Sequence, residues 1–324
     1  MKFVELKNDL QKKIRPAYLI TGNDRYLCYA SLEAIIKSLN LQFADLNHVV
    51  MEGANLAPET IAESASVFPF MDEYRFVQVN GYSSKPKSKE DFLLKYLQNP
   101  LKQSVIVFFN PDGADGLKQY LSSVEVVDCD KLSLETLNQF LRAKAEKENI
   151  KIQAKAIETL ILFCNNDMAR ISGEMEKLSC FANGKEIDVQ MVRDLVVEDK
   201  EYQIFSLAEF IAQGDKEKAF DLVQTLSNDK RGGFSILTPL YNNYRRVLYK
   251  SINKDKTDAE LASLLSVKEY AIKMIKNQVR VFTPKKLKTI VDMLYNFDRN
   301  IKMGKIKEDV ALKTAVLNIL KIRG

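Results

Sequence analysis

The stretch AYLITGNDRYLCYAS, residues 17–31, decides how the first third of the chain is read. An apolar run, Tyr18-Leu19-Ile20, ends at Gly22, and a helical pattern starts near Arg25. Strand, glycine turn and helix are the frame of the phosphate-binding loop G-x-x-x-x-G-K-[ST]. In that loop backbone N–H groups cradle phosphates and a lysine neutralises them. Counted from Gly22, the second glycine position holds Leu27, the lysine position Cys28 and the hydroxyl position Tyr29. The frame is kept, and every group that handles phosphate is replaced.

The next residues extend the same frame. Short β-rich runs at Ala17–Thr21, Leu46–Met51, Tyr74–Val79, Ser104–Phe109 and Val124–Asp128 alternate with helical patterns at Tyr26–Leu39, Pro58–Ala65, Glu90–Leu97 and Gly116–Leu121. Such alternation predicts βαβ units and a parallel sheet. SVIVFF, residues 104–109, is apolar at every position, as a central strand between two helix layers requires. An ATPase of this frame also needs an acidic pair at the end of a central strand to hold magnesium and polarise the attacking water. Here SVIVFF runs into Asn110-Pro111, which has no charge for a metal. Two separate parts of a nucleotide site are therefore missing, and an inactive relative of the fold is expected, with no cofactor and no metal.

From Lys131 onward the β signal stops. LSLETLNQFL spaces Leu134, Leu137, Phe140 and Leu141 three and four apart, with Ser133 placed to cap the first turn. Further helical patterns run to the end. Gly214 is set for a C-cap, Thr257 and Glu260 for a capping box, and Thr283-Pro284 for an N-cap followed by proline. The expected architecture is multidomain, α/β plus all-α. It comprises a parallel-sheet domain with a degenerate phosphate loop (1–131), a small helical domain (132–204) and a larger helical domain (205–324).

Composition narrows the function classes. No segment approaches the ~18 consecutive apolar residues of a membrane span, and the charged N-terminus lacks a signal-peptide pattern; a soluble cytoplasmic protein is expected. The four cysteines, Cys28, Cys129, Cys164 and Cys180, form no C-x-x-C pair, which argues against zinc or a disulfide framework. The single histidine, His48, lies in a strand-like run with no nucleophile-elbow sequence to serve. Residues 241–324 hold 19 Lys+Arg against 8 Asp+Glu, a net +11, whereas the first 240 residues net −6. A basic final third can meet acidic partner surfaces or nucleic acid.

One short connection stands out. In SVFPFMDEYR, residues 66–75, Pro69 disfavours helical geometry at Phe68 and stops the preceding helix. Five apolar residues, Val67, Phe68, Pro69, Phe70 and Met71, then fall in a connection of the kind that lies on the surface. They cannot all point inward from a tight turn, and exposed apolar clusters mark interfaces. Phe68 is expected to fold back into the core and Phe70 to stay exposed.

Four segments in order, AYLITGNDRYL, SVFPFMDEYRFVQV, NDMARISGEMEKLSCFANGKEIDVQMVRDLV and IFSLAEFIAQGDKEKAFDLVQTL, together with the terminal DVALKTAVLNILKI, resemble the delta subunits of bacterial DNA polymerase III clamp loaders. The resemblance spans nearly the whole chain. It implies an AAA+-like first domain without ATPase activity, a lid domain, and a helical collar that joins the subunit into a heteropentamer with gamma/tau and delta-prime subunits. It also implies a partner, the ring-shaped sliding clamp (beta subunit), opened at one interface for loading onto primed DNA within the polymerase III holoenzyme. The family's clamp-binding wedge falls on Val67–Met71, with Pro69 in place of the leucine usual at one anchor. No Ser-Arg-Cys arginine-finger tripeptide occurs. Lys85, Lys87 and Lys89, in a polar loop, are candidate DNA contacts. The competing readings are an atypical P-loop ATPase, which predicts saturable ATP binding, and a nucleic-acid module built on residues 241–324, which predicts steeply salt-dependent DNA affinity.

Overall fold

Five parallel strands follow the β-rich runs: β1 (Ala17–Thr21), β2 (His48–Glu52), β3 (Arg75–Asn80), β4 (Ser104–Phe109) and β5 (Glu125–Asp128), in the spatial order β2-β3-β4-β1-β5. All six residues of β4 are buried, as its apolar sequence required. The structure is a computed structural model that describes residues 1–83, 91–113, 115–228, 236–267 and 269–324. Within it the chain divides into two compact units, residues 1–149 with 168–173, and residues 150–167 with 174–324.

The first unit holds the sheet. Its helices are α1 (Phe3–Lys12), α2 (Arg25–Leu39), α3 (Ala44–Asn47), α4 (Pro58–Ala65), α5 (Phe92–Gln98) and α6 (Leu134–Lys147). Successive strand residues face opposite sides. Leu19, Val77, Val79, Ile106 and Phe108 pack on one side with Ile61 and Ala65 of α4 and Leu93 and Leu97 of α5. Helix α2 follows β1 directly and buries Leu27, Cys28, Leu32 and Ile35. Sequence reading started the second strand at Leu46; the structure starts it at His48 because residues 44–47 close one helical turn first.

Among the described residues the second unit is helical apart from one isolated bridge between Ile152 and Ile187. It contains α7 (Ala154–Phe163), most of α8 (Met168–Ala182), α9 (Val189–Leu195), α10 (Lys200–Gln213), α11 (Lys216–Asn228), α12 (Leu237–Ile252) and α13 (Asp258–Leu264). Then come α14 (Glu269–Met274), α15 (Lys276–Val281), α16 (Pro284–Lys302) and α17 (Glu308–Arg323). The cap chemistry legible in the sequence forms. Gly214 turns left-handed at φ +81 to end α10, Thr257 and Glu260 make a reciprocal box, and Thr283 caps α16 ahead of Pro284. One apolar core, from Phe205 and Leu207 to Val316 and Ile319, joins α10, α12, α16 and α17.

Candidate functional site

The turn at Gly22, where a phosphate loop would lie, is filled by the chain itself. Asn23 N–H donates to Asp130 Oδ1 at 2.9 Å, Asp24 N–H to Cys129 O at 3.1 Å, and Leu27 N–H to Asp24 Oδ1 at 3.2 Å. These are the donors a phosphate would use at a helix N-terminus, and two of their three acceptors are carboxylates, which repel an anion. Leu27 and Cys28 are fully buried in the sheet–helix contact, and Tyr29 packs on Phe109 with ring centroids 4.9 Å apart. Contact with the Cys129 sulfur and burial push the Cys28 thiol up, so it stays a protonated core residue. Gly22 has a different task. At φ +146, a Cβ there would lie 2.3 Å from the carbonyl carbon of Cys129, so glycine lets β1 and the end of β5 meet.

Asn110 is likewise occupied. Its Oδ1 accepts from Tyr82 N–H at 3.0 Å, while Nδ2 donates to Tyr82 O at 2.8 Å and Gly113 O at 3.2 Å. The amide thus mimics a strand partner and holds buried Tyr82 in place. Beside it a cleft of about 550 Å³ is lined by Tyr29, Gln78, Asn80, Tyr82, Asn110, Pro111 and Asp112 among others, and among the described residues its wall carries no lysine or arginine. No group of three or more His, Cys, Asp and Glu is placed to hold a metal among the described residues.

The connection after α4 behaves in the opposite way. Helix α4 ends at Ser66, whose N–H reaches Ala62 O and Glu63 O and whose hydroxyl donates to Ala62 O. Val67 is 50% exposed, Phe68 67%, Phe70 54% and Met71 75%. Phe70 meets the expectation and Phe68 does not. Ile61 and Ala65 of α4 pack with Leu93 and Leu97 of α5, and Phe68 stays outside that cluster. Met71 sits in the left-handed region at φ +56, a costly position for a side chain with a Cβ, so the turn is held by its neighbours.

Those neighbours are Asn47 and Asp72, which sequence reading did not single out. Fully buried Asn47 accepts from Phe70 N–H on Oδ1 at 2.7 Å, and its Nδ2 donates to Phe70 O at 2.8 Å and Asp72 Oδ2 at 2.7 Å. Asp72 also accepts from the N–H groups of Gln42 at 2.9 Å and Phe43 at 3.0 Å. Desolvation pushes its carboxyl upward, but these three hydrogen bonds outweigh it and hold the pKa below the ordinary value. From the strand side, Arg75 Nε donates to Ser64 O at 2.8 Å. A polar residue such as Asn47 in an apolar run is the one local signal, and its partners lie 23 and 25 residues away.

The remaining candidates are quickly placed. His48 is a half-buried strand residue whose Nε2 lies 3.2 Å from Gln78 Oε1 and whose ring packs on Phe76. Cys28, Cys129 and Cys164 are buried and Cys180 is exposed. Lys85, Lys87 and Lys89 lie outside the described residues. Among the described residues no helix is long and apolar enough to cross a membrane.

Comparison with known proteins agrees with the order of elements. Residues 18–130 match the family model described as DNA polymerase III, delta subunit, and residues 201–319 that of the delta subunit's C-terminal domain. Residues 133–194 match a model described as a middle domain. The chain is 25% identical to DNA polymerase III subunit delta of Bacillus subtilis, an alignment covering 99% of this chain and 97% of that protein. It is 22% identical to the probable subunit delta of Aquifex aeolicus, over 88% and 86% of the two. The solved structure of the Bacillus subtilis DNA clamp loader delta protein superposes with a TM-score of 0.74 at 24% identity, over 98% of this chain and 99% of that one.

Proposed function

Because this chain belongs to the DNA polymerase III delta-subunit family, we propose that it is the subunit that opens the sliding clamp. Its Val67–Met71 turn binds the ring (beta subunit), and the subunit works in a heteropentamer with gamma/tau and delta-prime, loading the ring onto primed DNA in the cytoplasm. The observation that carries this reading is the exposed apolar turn with its backbone fastened to Asn47. A side chain held rigidly outward loses little freedom on binding, which favours affinity. Opening then needs no nucleotide in this subunit. A binder that prefers the open interface shifts the ring toward it by its differential affinity and by no more.

ATP turnover falls to the neighbours, since Gly22, Leu27, Cys28, Tyr29 and Asn110 serve the fold here and Pro111 brings no acid to the cleft it lines. The division into 1–131, 132–204 and 205–324 is supported by separate family matches to 18–130, 133–194 and 201–319. The last part acts as a collar whose excess of lysine and arginine meets acidic partner faces. Lys85, Lys87 and Lys89 are kept as candidate DNA contacts.

Burying one phenylalanine in a partner pocket is worth about 1.5–3 kcal/mol, and interface anchors reach about 2 kcal/mol or more. Phe70→Ala is therefore expected to weaken binding to purified sliding clamp at least about tenfold, with an unchanged melting temperature. Normal binding by the alanine variant removes the turn from the interface.

A further inference from the structure

The exposed turn is not the whole of its own surface. Asn47 and Asp72 tie residues 42–47 and 70–72 into one hydrogen-bonded body, because Asp72 takes the N–H groups of Gln42 and Phe43 while Asn47 takes both backbone groups of Phe70. The Phe43 ring stands edge-on to the Phe70 ring, centroids 6.2 Å apart at 84°. Phe43 is 42% exposed and Leu46, on the next turn of the same segment, 54%. Two stretches far apart in sequence thus present apolar side chains side by side, with their backbones tied together. Nothing in the local sequence of residues 43–46 suggested this, since Leu46 read as the start of a strand.

The charges around this surface say what it meets. Asp45, between Phe43 and Leu46, and Glu73, next to Asp72, are exposed beside it. Arg75, the nearest cation of these segments, has its guanidinium turned to the carbonyls of Ser64 and Leu46. An acidic margin on a chain of net charge +5 repels nucleic acid and anionic lipid, and favours a protein pocket edged with lysine or arginine.

We propose that Phe43 and Leu46 form the second half of the docking surface begun by Phe70 and Met71. Its occupant is an apolar pocket with a basic margin on the sliding clamp, and this proposal rests on the clamp-opening reading above. The two halves act together. Phe70 anchors, Phe43 supports its ring and widens the contact, and the acidic margin sets the approach.

The test titrates purified sliding clamp onto the full chain, comparing wild type with Phe70→Ala, Phe43→Ala, Leu46→Ala and Glu73→Lys, each checked for an unchanged melting profile. Expected are a loss of at least about tenfold for Phe70→Ala and about three- to tenfold for Phe43→Ala and for Leu46→Ala. The Phe43/Phe70 double variant is expected to lose less than the product of the single losses, because the rings touch. Glu73→Lys weakens binding several-fold at low salt and converges on wild type at high salt. If Phe70→Ala is impaired while Phe43→Ala and Leu46→Ala bind like wild type, the composite surface is overturned and the wedge stands. If Phe70→Ala also binds normally, the wedge falls and this proposal with it.

Discussion

Asn110 and Asn47 make the same pair of bonds to opposite effect. Each accepts a backbone N–H on Oδ1 and returns Nδ2 to the carbonyl of the same residue, Tyr82 in one case and Phe70 in the other. Tyr82 is fully buried and Phe70 is half exposed. The first amide closes the end of β4 onto buried Tyr82; the second fixes the backbone beneath an open, half-exposed Phe70. A side-chain amide fixes backbone wherever it is placed, and what that backbone carries decides whether the result is core or interface. A closed crevice and the proposed docking knob are, on this account, two uses of one local device.

The largest expected effect lies on the closed side of that contrast. Gly22→Ala drives a Cβ into the Cys129 backbone at a strained φ and should cost at least about 3 kcal/mol in urea denaturation. A glycine kept only for phosphates would tolerate alanine, so a stable variant breaks the contrast. Asn110→Ala comes next. It leaves the buried N–H and carbonyl of Tyr82 without their partner, for a loss of about 2–3 kcal/mol while clamp affinity of the folded protein stays unchanged. Asn47→Ala should cost less stability, about 1–2 kcal/mol, because water reaches the half-exposed turn. It should nonetheless weaken clamp binding several-fold, which Asn110→Ala does not.

The smallest effect sharpens the open side. The folded pKa of Asp72 is depressed, so its contribution is complete above the ordinary aspartate value of about 3.9 and is lost as pH falls through the lower folded value. The stability gap between wild type and Asp72→Asn should therefore be constant near neutrality and close in acid. A gap that widens as pH falls would show that the carboxylate is not what holds Gln42 and Phe43.

Much of this was legible in the residues. SVIVFF announced a central strand because all its positions are apolar, and Pro69 announced a break that left apolar side chains without a helix to bury them. The absent lysine and acidic pair separate the fold from its chemistry in the sequence itself. What stayed hidden was long-range. Asn47 reads as one polar residue in LNHVV, and only the chain crossing 23 residues later gives it Phe70 as a partner. Phe68 differs from expectation for a related reason: an apolar residue beside a proline break does not say by itself which way it turns, and here Phe68 is 67% exposed.

The central claim is that a rigid apolar knob on a scaffold without nucleotide turnover prises open a ring. Its most direct test is release of sliding clamp from nicked circular DNA by the purified chain alone, without nucleotide. Wild type should release the clamp and Phe70→Ala should fail. Release that requires ATP and magnesium, or that proceeds equally with alanine at position 70, would contradict the account.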